Sequence, residues 1–349
     1  MSLYLKSQNF TDDSHIYYNM NFTSGADAGI PNITQNLIYP LITNPSEYHL
    51  SIVRFTLPTD LIPLFGWPQT SAQAADNAFY SVSLEWDGYI TQVFLTYFSL
   101  DGPDATFVGL REPLFPIFYY QHFIDIVNIA LETAFTNLMT AKPLAPVTVR
   151  PYFLYDTRTN KFSLVAPSGY WPSGGTTAPK IYINTPMEKY FEPIMTYYNG
   201  NTTSFGRNGI IPVKNNLNNT VTNALAGAGL SYEMVCEYNN PASWRDIVSI
   251  IFTSSSLKSR AEFLPDPTGE GRPTTSGIIT DFAFPPDIFG RPDVEYLPTA
   301  QYRLVDLVGN DTINDVQIAI KWITSNGVVY NLVIPPYRNV SVKLIFQQK

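Results

Sequence analysis

The chain has 349 residues, of which 45% are hydrophobic and only 14% charged, and its net charge is −8. An acidic balance without a basic arm excludes a role built on neutralising phosphates, so no direct nucleic-acid binding is expected. A single cysteine excludes a disulfide framework, and no apolar run reaches the roughly 20 residues of a helical membrane span.

In chain order, a first β block runs to about residue 100. Residues 15–22 predict an edge strand and residues 48–57 a longer one, after which Pro58, Pro63 and Pro68 break the pattern. Tyr80, Val82, Leu84 and Trp86 then alternate with Ser81, Ser83 and Glu85. Asp87-Gly88 marks a hairpin turn, and residues 89–98 form the return strand.

The middle of the chain changes period. Residues 119–139 contain neither Gly nor Pro, and Tyr120, Ile124, Val127, Leu131, Ala134, Phe135 and Leu138 recur at spacings of three and four. Gln121, Asp125, Asn128 and Glu132 take the opposite face, which predicts one amphipathic helix stopped at Lys142-Pro143. A short hairpin (152–155 with 161–165), a strand at 180–183 and a helical turn near 186–191 follow. Residues 195–229, rich in Asn, Gly and Thr, predict a long ordered loop.

From Leu230 the alternation returns and continues through 246–253, 276–284 and 302–307. Val316, Ile318, Ile320 and Trp322 share one face of the next run, with Asp315, Gln317 and Lys321 on the other. After Asn326-Gly327, Val328, Tyr330, Leu332 and Ile334 repeat the period, and Val340, Val342, Leu344 and Phe346 repeat it again. Side chains on a strand point alternately to opposite faces, so these are antiparallel strands with one buried face. The fold class is therefore all-β: an antiparallel two-sheet sandwich, with a jelly roll preferred over other sandwiches. Residues 1–100 and 227–349 are expected to form its two parts, and 101–226 an inserted mixed α/β domain holding the amphipathic helix.

Catalytic constellations are nearly absent. His15, His49 and His122 show no metal-ligand spacing, and His122 with Asp125 reads as a pair on the helix surface. Glu233 and Glu237 tempt as a glycosidase pair, but four strand residues span roughly 13 Å, beyond the about 5.5–9.5 Å such enzymes use. Gly227-Ala-Gly229 lacks a third glycine, and Gly269-Glu-Gly-Arg272 reads as a loop. Cys236 lies on the apolar side of an alternating run and reads as a buried small hydrophobe. No catalytic, cofactor-binding or metal-binding residue is assigned, and no cofactor is expected. Trp67, Tyr170 and Trp171, in loops rich in Pro and Gly, could instead stack on sugars. The first nine residues do not read as a secretion signal, so the sequons at Asn9, Asn21, Asn32, Asn201, Asn310 and Asn339 are read as chance.

Several phrases carry a family resemblance. They are Asn44-Pro-Ser-Glu-Tyr-His-Leu-Ser-Ile-Val-Arg-Phe-Thr-Leu-Pro58, Tyr120-Gln-His-Phe-Ile-Asp125, Phe153-Leu-Tyr-Asp-Thr-Arg-Thr-Asn-Lys-Phe162, Ile279-Thr-Asp-Phe282, Tyr302-Arg-Leu-Val-Asp-Leu307 and Val342-Lys-Leu-Ile-Phe346. Together they resemble the penton (vertex) proteins of virophages and polinton-like viruses, a family of single jelly-roll minor capsid proteins. The resemblance implies a homopentamer at the capsid's fivefold vertex, an outward-facing insertion and contacts to a major capsid protein of double jelly-roll type. It implies a structural protein of the virion, not an enzyme. Two other readings stay open from the residues alone: a spike or glycan-binding jelly-roll module, and a carbohydrate-active enzyme.

Overall fold

The computed structural model describes residues 15–26, 31–59, 62–71, 74–98, 114–198, 209–214, 220–222, 230–237, 244, 247–259, 262–264, 274–283, 293–296, 303–324, 329–334 and 336–349. The expected turn at Asn326-Gly327, the loop at 269–272, Gly227, Gly229 and most of 195–229 lie outside these residues. The chain divides into two compact units, one made of residues 1–62 and 247–349, the other of residues 63–246.

The first unit holds eight principal strands: β1 (His15–Thr23), β2 (Asn32–Asn36), β3 (Tyr48–Pro58), β4 (Ile247–Thr253), β5 (Ile278–Ala283), β6 (Asp293–Tyr296), β7 (Asp315–Thr324) and β8 (Asn339–Gln348). One sheet runs β1-β8-β3-β6 and the other β5-β4-β7-β2, with every ladder antiparallel. First therefore pairs with eighth, second with seventh, third with sixth and fourth with fifth. That order is obtained by rolling up one long antiparallel ribbon, and it makes this unit a jelly roll. Phe55 of β3 lies 5.0 Å from Phe252 of β4 and 4.7 Å from Phe282 of β5, closing the core between the two sheets.

The alternating runs bury the faces that their period predicts. Val316, Ile318, Ile320 and Trp322 on β7, and Val340, Val342, Leu344 and Phe346 on β8, are all buried. Each large apolar side chain contributes roughly 1.5–3 kcal/mol on burial. Tyr330, on the short strand Val329–Asn331 paired to β7, stacks on Trp322 at 4.4 Å. β8 does not continue this hairpin; it crosses to the other sheet and lies between β1 and β3.

The second unit is contiguous. Helix α1 (Tyr120–Ala141) ends where Lys142 caps it through its N–H to Leu138 O. Phe123 is the hub of an aromatic cluster, with the rings of Phe65, Tyr190 and Trp244 at 5.1, 5.3 and 5.3 Å. Helix α2 (Thr185–Phe191) supplies Tyr190 and Phe191. The hairpin Ser81–Trp86 with Tyr89–Phe94 turns at Asp87 and Gly88, whose φ angles are +48° and +75°. Positive φ at both central residues is what the type I′ two-residue hairpin turn requires.

The unit boundaries fall at 62/63 and 246/247 instead of the expected 100/101 and 226/227. The hairpin at 81–94 pairs with Lys180–Ile183, and Leu230–Val235 pairs with Lys161–Ala166, so both belong to the second unit. Strand period says which residues form ladders but is silent about distant partners.

Candidate assembly surface

A two-sheet sandwich has four edge strands, each leaving a row of backbone N–H and C=O groups open to pairing with another chain. In the jelly-roll unit, β1 and β2 share one flank, where Tyr18 Oη donates to Gln35 Oε1 at 2.6 Å. β5 and β6 share the other, where the rings of Phe282 and Tyr296 lie 4.3 Å apart.

The two flanks differ in chemistry. β6 has four residues and exposes Asp293 and Glu295; β5 exposes Asp281, which pairs with Arg303 at 3.1 Å. Short length and charge are ordinary ways to blunt an edge. β1, by contrast, is nine residues of His-Ile-Tyr-Tyr-Asn-Met-Asn-Phe-Thr, and β2 is Asn-Ile-Thr-Gln-Asn. Neither contains Asp, Glu, Lys, Arg or Pro. Tyr17, Asn19, Asn21 and Thr23 point outward from β1, and Asn32, Thr34 and Asn36 from β2. Tyr17 is 56% exposed with Lys343 Nζ 4.7 Å from its ring centroid.

Directly after β2 the chain forms a pinned apolar tip. Leu37 N–H donates to Asn314 O (2.8 Å), Leu41 N–H to Ile313 O (2.9 Å) and Ile313 N–H to Ile42 O (2.9 Å). Between these anchors Ile38 and Tyr39 are 91% and 77% exposed. Large apolar side chains held in water by a fixed backbone mark a contact surface.

In the second unit a helix side chain closes part of a sheet edge. Strand Tyr152–Asp156 ends its sheet, and Asn128 of α1 covers it as a further strand would. The Asn128 amide donates to Phe153 O at 2.9 Å and accepts from Phe153 N–H at 2.7 Å. Arg150 fixes the arrangement by donating to Asn128 O at 3.1 Å while its other arm lies 3.2 Å from Glu132.

The residues weighed for chemistry are scattered. His122 is buried, with Nε2 2.8 Å from Phe98 O, so it does not pair with Asp125 on the surface; Gln121 Nε2 takes that carboxylate instead at 2.7 Å. His49 Nδ1 lies 3.0 Å from Asp306, which also meets Lys349 at 2.9 Å, and His15 is exposed at the start of β1. Among the described residues no group of three His, Cys, Asp or Glu side chains could hold a metal ion. Glu233 accepts a hydrogen bond from Ser163 Oγ (2.8 Å), whereas Glu237 lies exposed beyond its strand. Cys236 is buried, and burial pushes its thiol pKa up. Of the aromatic residues considered for sugar stacking, Trp67 and Tyr170 are 0% exposed and belong to the core. Trp171 remains half-buried, edge-on to Tyr197 at 5.7 Å. No helix among the described residues is long and apolar enough to cross a membrane.

Comparison with known proteins supplies the functional context. The family described as Sputnik minor capsid protein V18/19 matches residues 16–348. The chain belongs to this family. Structural protein V19 of Sputnik virophage is 28% identical over 206 residues, which cover 56% of this chain and 94% of V19. Uncharacterized protein V18 of the same virophage is 35% identical over 118 residues, covering 29% of this chain and 69% of V18. A chain in the cryo-EM structure of the Sputnik virophage matches with a TM-score of 0.78 and 28% identity, covering 97% of this chain and 99% of that one. The mavirus penton protein matches with a TM-score of 0.65 over 96% of this chain and 99% of its own, and at 12% identity it attests the fold.

As a member of the minor capsid V18/19 family, this protein is a structural component of a viral shell and resides in the virion. The relatives with described roles are structural and capsid proteins, not enzymes. What matters in such a molecule is surface, and the uncharged flank of β1 and β2 is its most distinctive part. The sequence pattern predicts β1 as an edge strand, whereas β2, with Ile33 its one buried side chain, carries no period that predicts it.

Proposed function

We propose that this protein forms the vertex of the shell as a homopentamer, surrounded by major capsid proteins of double jelly-roll type. The observation that carries the reading is the near-complete mutual coverage with the mavirus penton protein, on top of membership in a minor capsid family. A jelly roll with one blunted and one unblunted flank suits a ring. A closed cyclic assembly uses a heterologous interface, so the two sides of each subunit differ. The low charged fraction of 14% keeps the desolvation cost of such contacts small.

In this reading the 63–246 unit, inserted between β3 and β4, is the part displayed outward. Insertions between two strands of a sandwich leave its ladders intact, which is why displayed domains are tolerated there. Antibodies raised against residues 63–246 test both points on intact particles. Decoration confined to the vertices is expected. Labelling spread over the facets would contradict the vertex position. Labelling only of disrupted particles would contradict the outward display.

A further inference from the structure

We infer that the uncharged flank of β1 and β2, with the Ile38–Tyr39 tip beyond it, is the face through which one copy of this chain meets the next; the inference deepens the vertex reading and rests on it. Its basis is the asymmetry between the flanks. Every copy carries the same net charge of −8, so contact between copies must use surface that does not set carboxylate against carboxylate. Strands β5 and β6 expose Asp281, Asp293 and Glu295, the first two within ion-pair distance of Arg303 and Arg338, whereas strands β1 and β2 themselves carry no carboxylate. The cation nearest the β1–β2 flank is Lys343 of the adjacent β8, over the Tyr17 ring, so the charge pattern there favours an acidic neighbour, and a second copy of this chain is one.

The backbone adds a second argument. Among the described residues β1 is the end strand of its sheet over nine residues, without the Lys, Pro or bulge by which exposed edges are protected. An unprotected edge of that length is a hazard unless it is covered in the assembled state. Asn and Thr side chains along it offer donors and acceptors at little desolvation cost, and Tyr17, Ile38 and Tyr39 offer the apolar and aromatic area typical of an interface core. Because a ring is heterologous, this flank meets a different patch on its neighbour, and the acidic flank need not face itself.

A photo-crosslinking residue introduced in place of Asn21 reads the contact directly in purified particles. Covalent dimers and higher multiples of this chain are expected on irradiation. Crosslinks to a different capsid polypeptide, or none from particles that contain the variant, would overturn the inference. As a second measurement, Asn19→Glu with Asn21→Glu, and separately Thr34→Glu, place like charge on the flank at exposed positions. Each should melt within about 2 °C of the wild type while the amount of this chain per particle falls about tenfold or more. Wild-type incorporation of either would overturn the proposal. A chain at the fivefold vertex whose crosslinks run to another polypeptide would sink this inference alone; copy-to-copy crosslinks away from the vertex would sink the vertex reading alone.

Discussion

The two units bury their apolar side chains by different routes. In the jelly-roll unit, strands drawn from both ends of the chain stack in regular layers, with every second residue of β7 and β8 inward. In the 63–246 unit one contiguous segment gathers large rings around Phe123 of α1, and the same helix seals a sheet edge with Asn128. The first arrangement leaves long ladders with ends to offer to other molecules. The second spends a helix on closing itself.

The comparison breaks most readily at Phe123. Phe123→Ala removes the hub ring and should destabilise the second unit by about 3–5 kcal/mol. Hydrogen exchange should then show protection lost over 120–141 and 161–166 but kept over 315–324 and 339–348. Equal loss in both regions would mean that the units do not hold themselves together separately.

The matching change in the sandwich is Trp322→Ala. It should cost about 3 kcal/mol, because the ring is 7% exposed and leaves Tyr330 without its stacking partner. Lys321→Ala should stay within about 0.5 kcal/mol in the same denaturant melts. Reversed costs would show β7 shifted by one residue.

Asn128→Ala sharpens the contrast between closed and open edges. Losing both bonds to Phe153 should cost about 1–3 kcal/mol. It also uncovers the edge of 152–156, so the purified variant should self-associate with rising concentration in analytical ultracentrifugation. A variant that melts earlier yet stays unchanged in mass would show that Asn128 stabilises without guarding the edge.

The smallest effect concerns Glu188 on α2. Its Oε1 is buried without a hydrogen-bond partner, and burial raises its carboxyl pKa. Well below pH 4 both folded and unfolded states hold the proton and the group is neutral in its effect. As pH rises past about 4.3 the unfolded state ionises first, so this group lowers stability progressively toward neutrality. Glu188→Gln should therefore melt roughly 1–3 °C higher than the wild type at pH 7 and show no gain at low pH. A gain that is constant with pH would assign the effect to packing.

How much of this was legible in the sequence depended on whether a local period recorded it. β7, β8 and α1 each carry several large apolar residues on one face, and their ranges follow from that alone. β2 and β6 do not, since each is short and lies at an edge, with Ile33 the only buried side chain of β2 and none buried on β6. The hairpin at 81–94 was readable as a hairpin, but its pairing with 180–183 brings together residues almost a hundred apart, and nothing local encodes that. His122 sits at the border of the helix's apolar stripe, and Phe98 O, far back in the chain, draws it inward. Trp67 and Tyr170 mislead in the same way, because Pro and Gly neighbours suggest surface loops while their rings fill the core. The assembly flank was missed for the opposite reason. Its message is the absence of charge along two strands that meet only in the folded chain.

The most direct test of the vertex reading is the local symmetry of this chain in an image reconstruction of the assembled particle. The account predicts the jelly-roll unit at the fivefold positions, each copy presenting its β1–β2 flank to a neighbouring copy. Finding the chain at threefold or quasi-sixfold positions would contradict it.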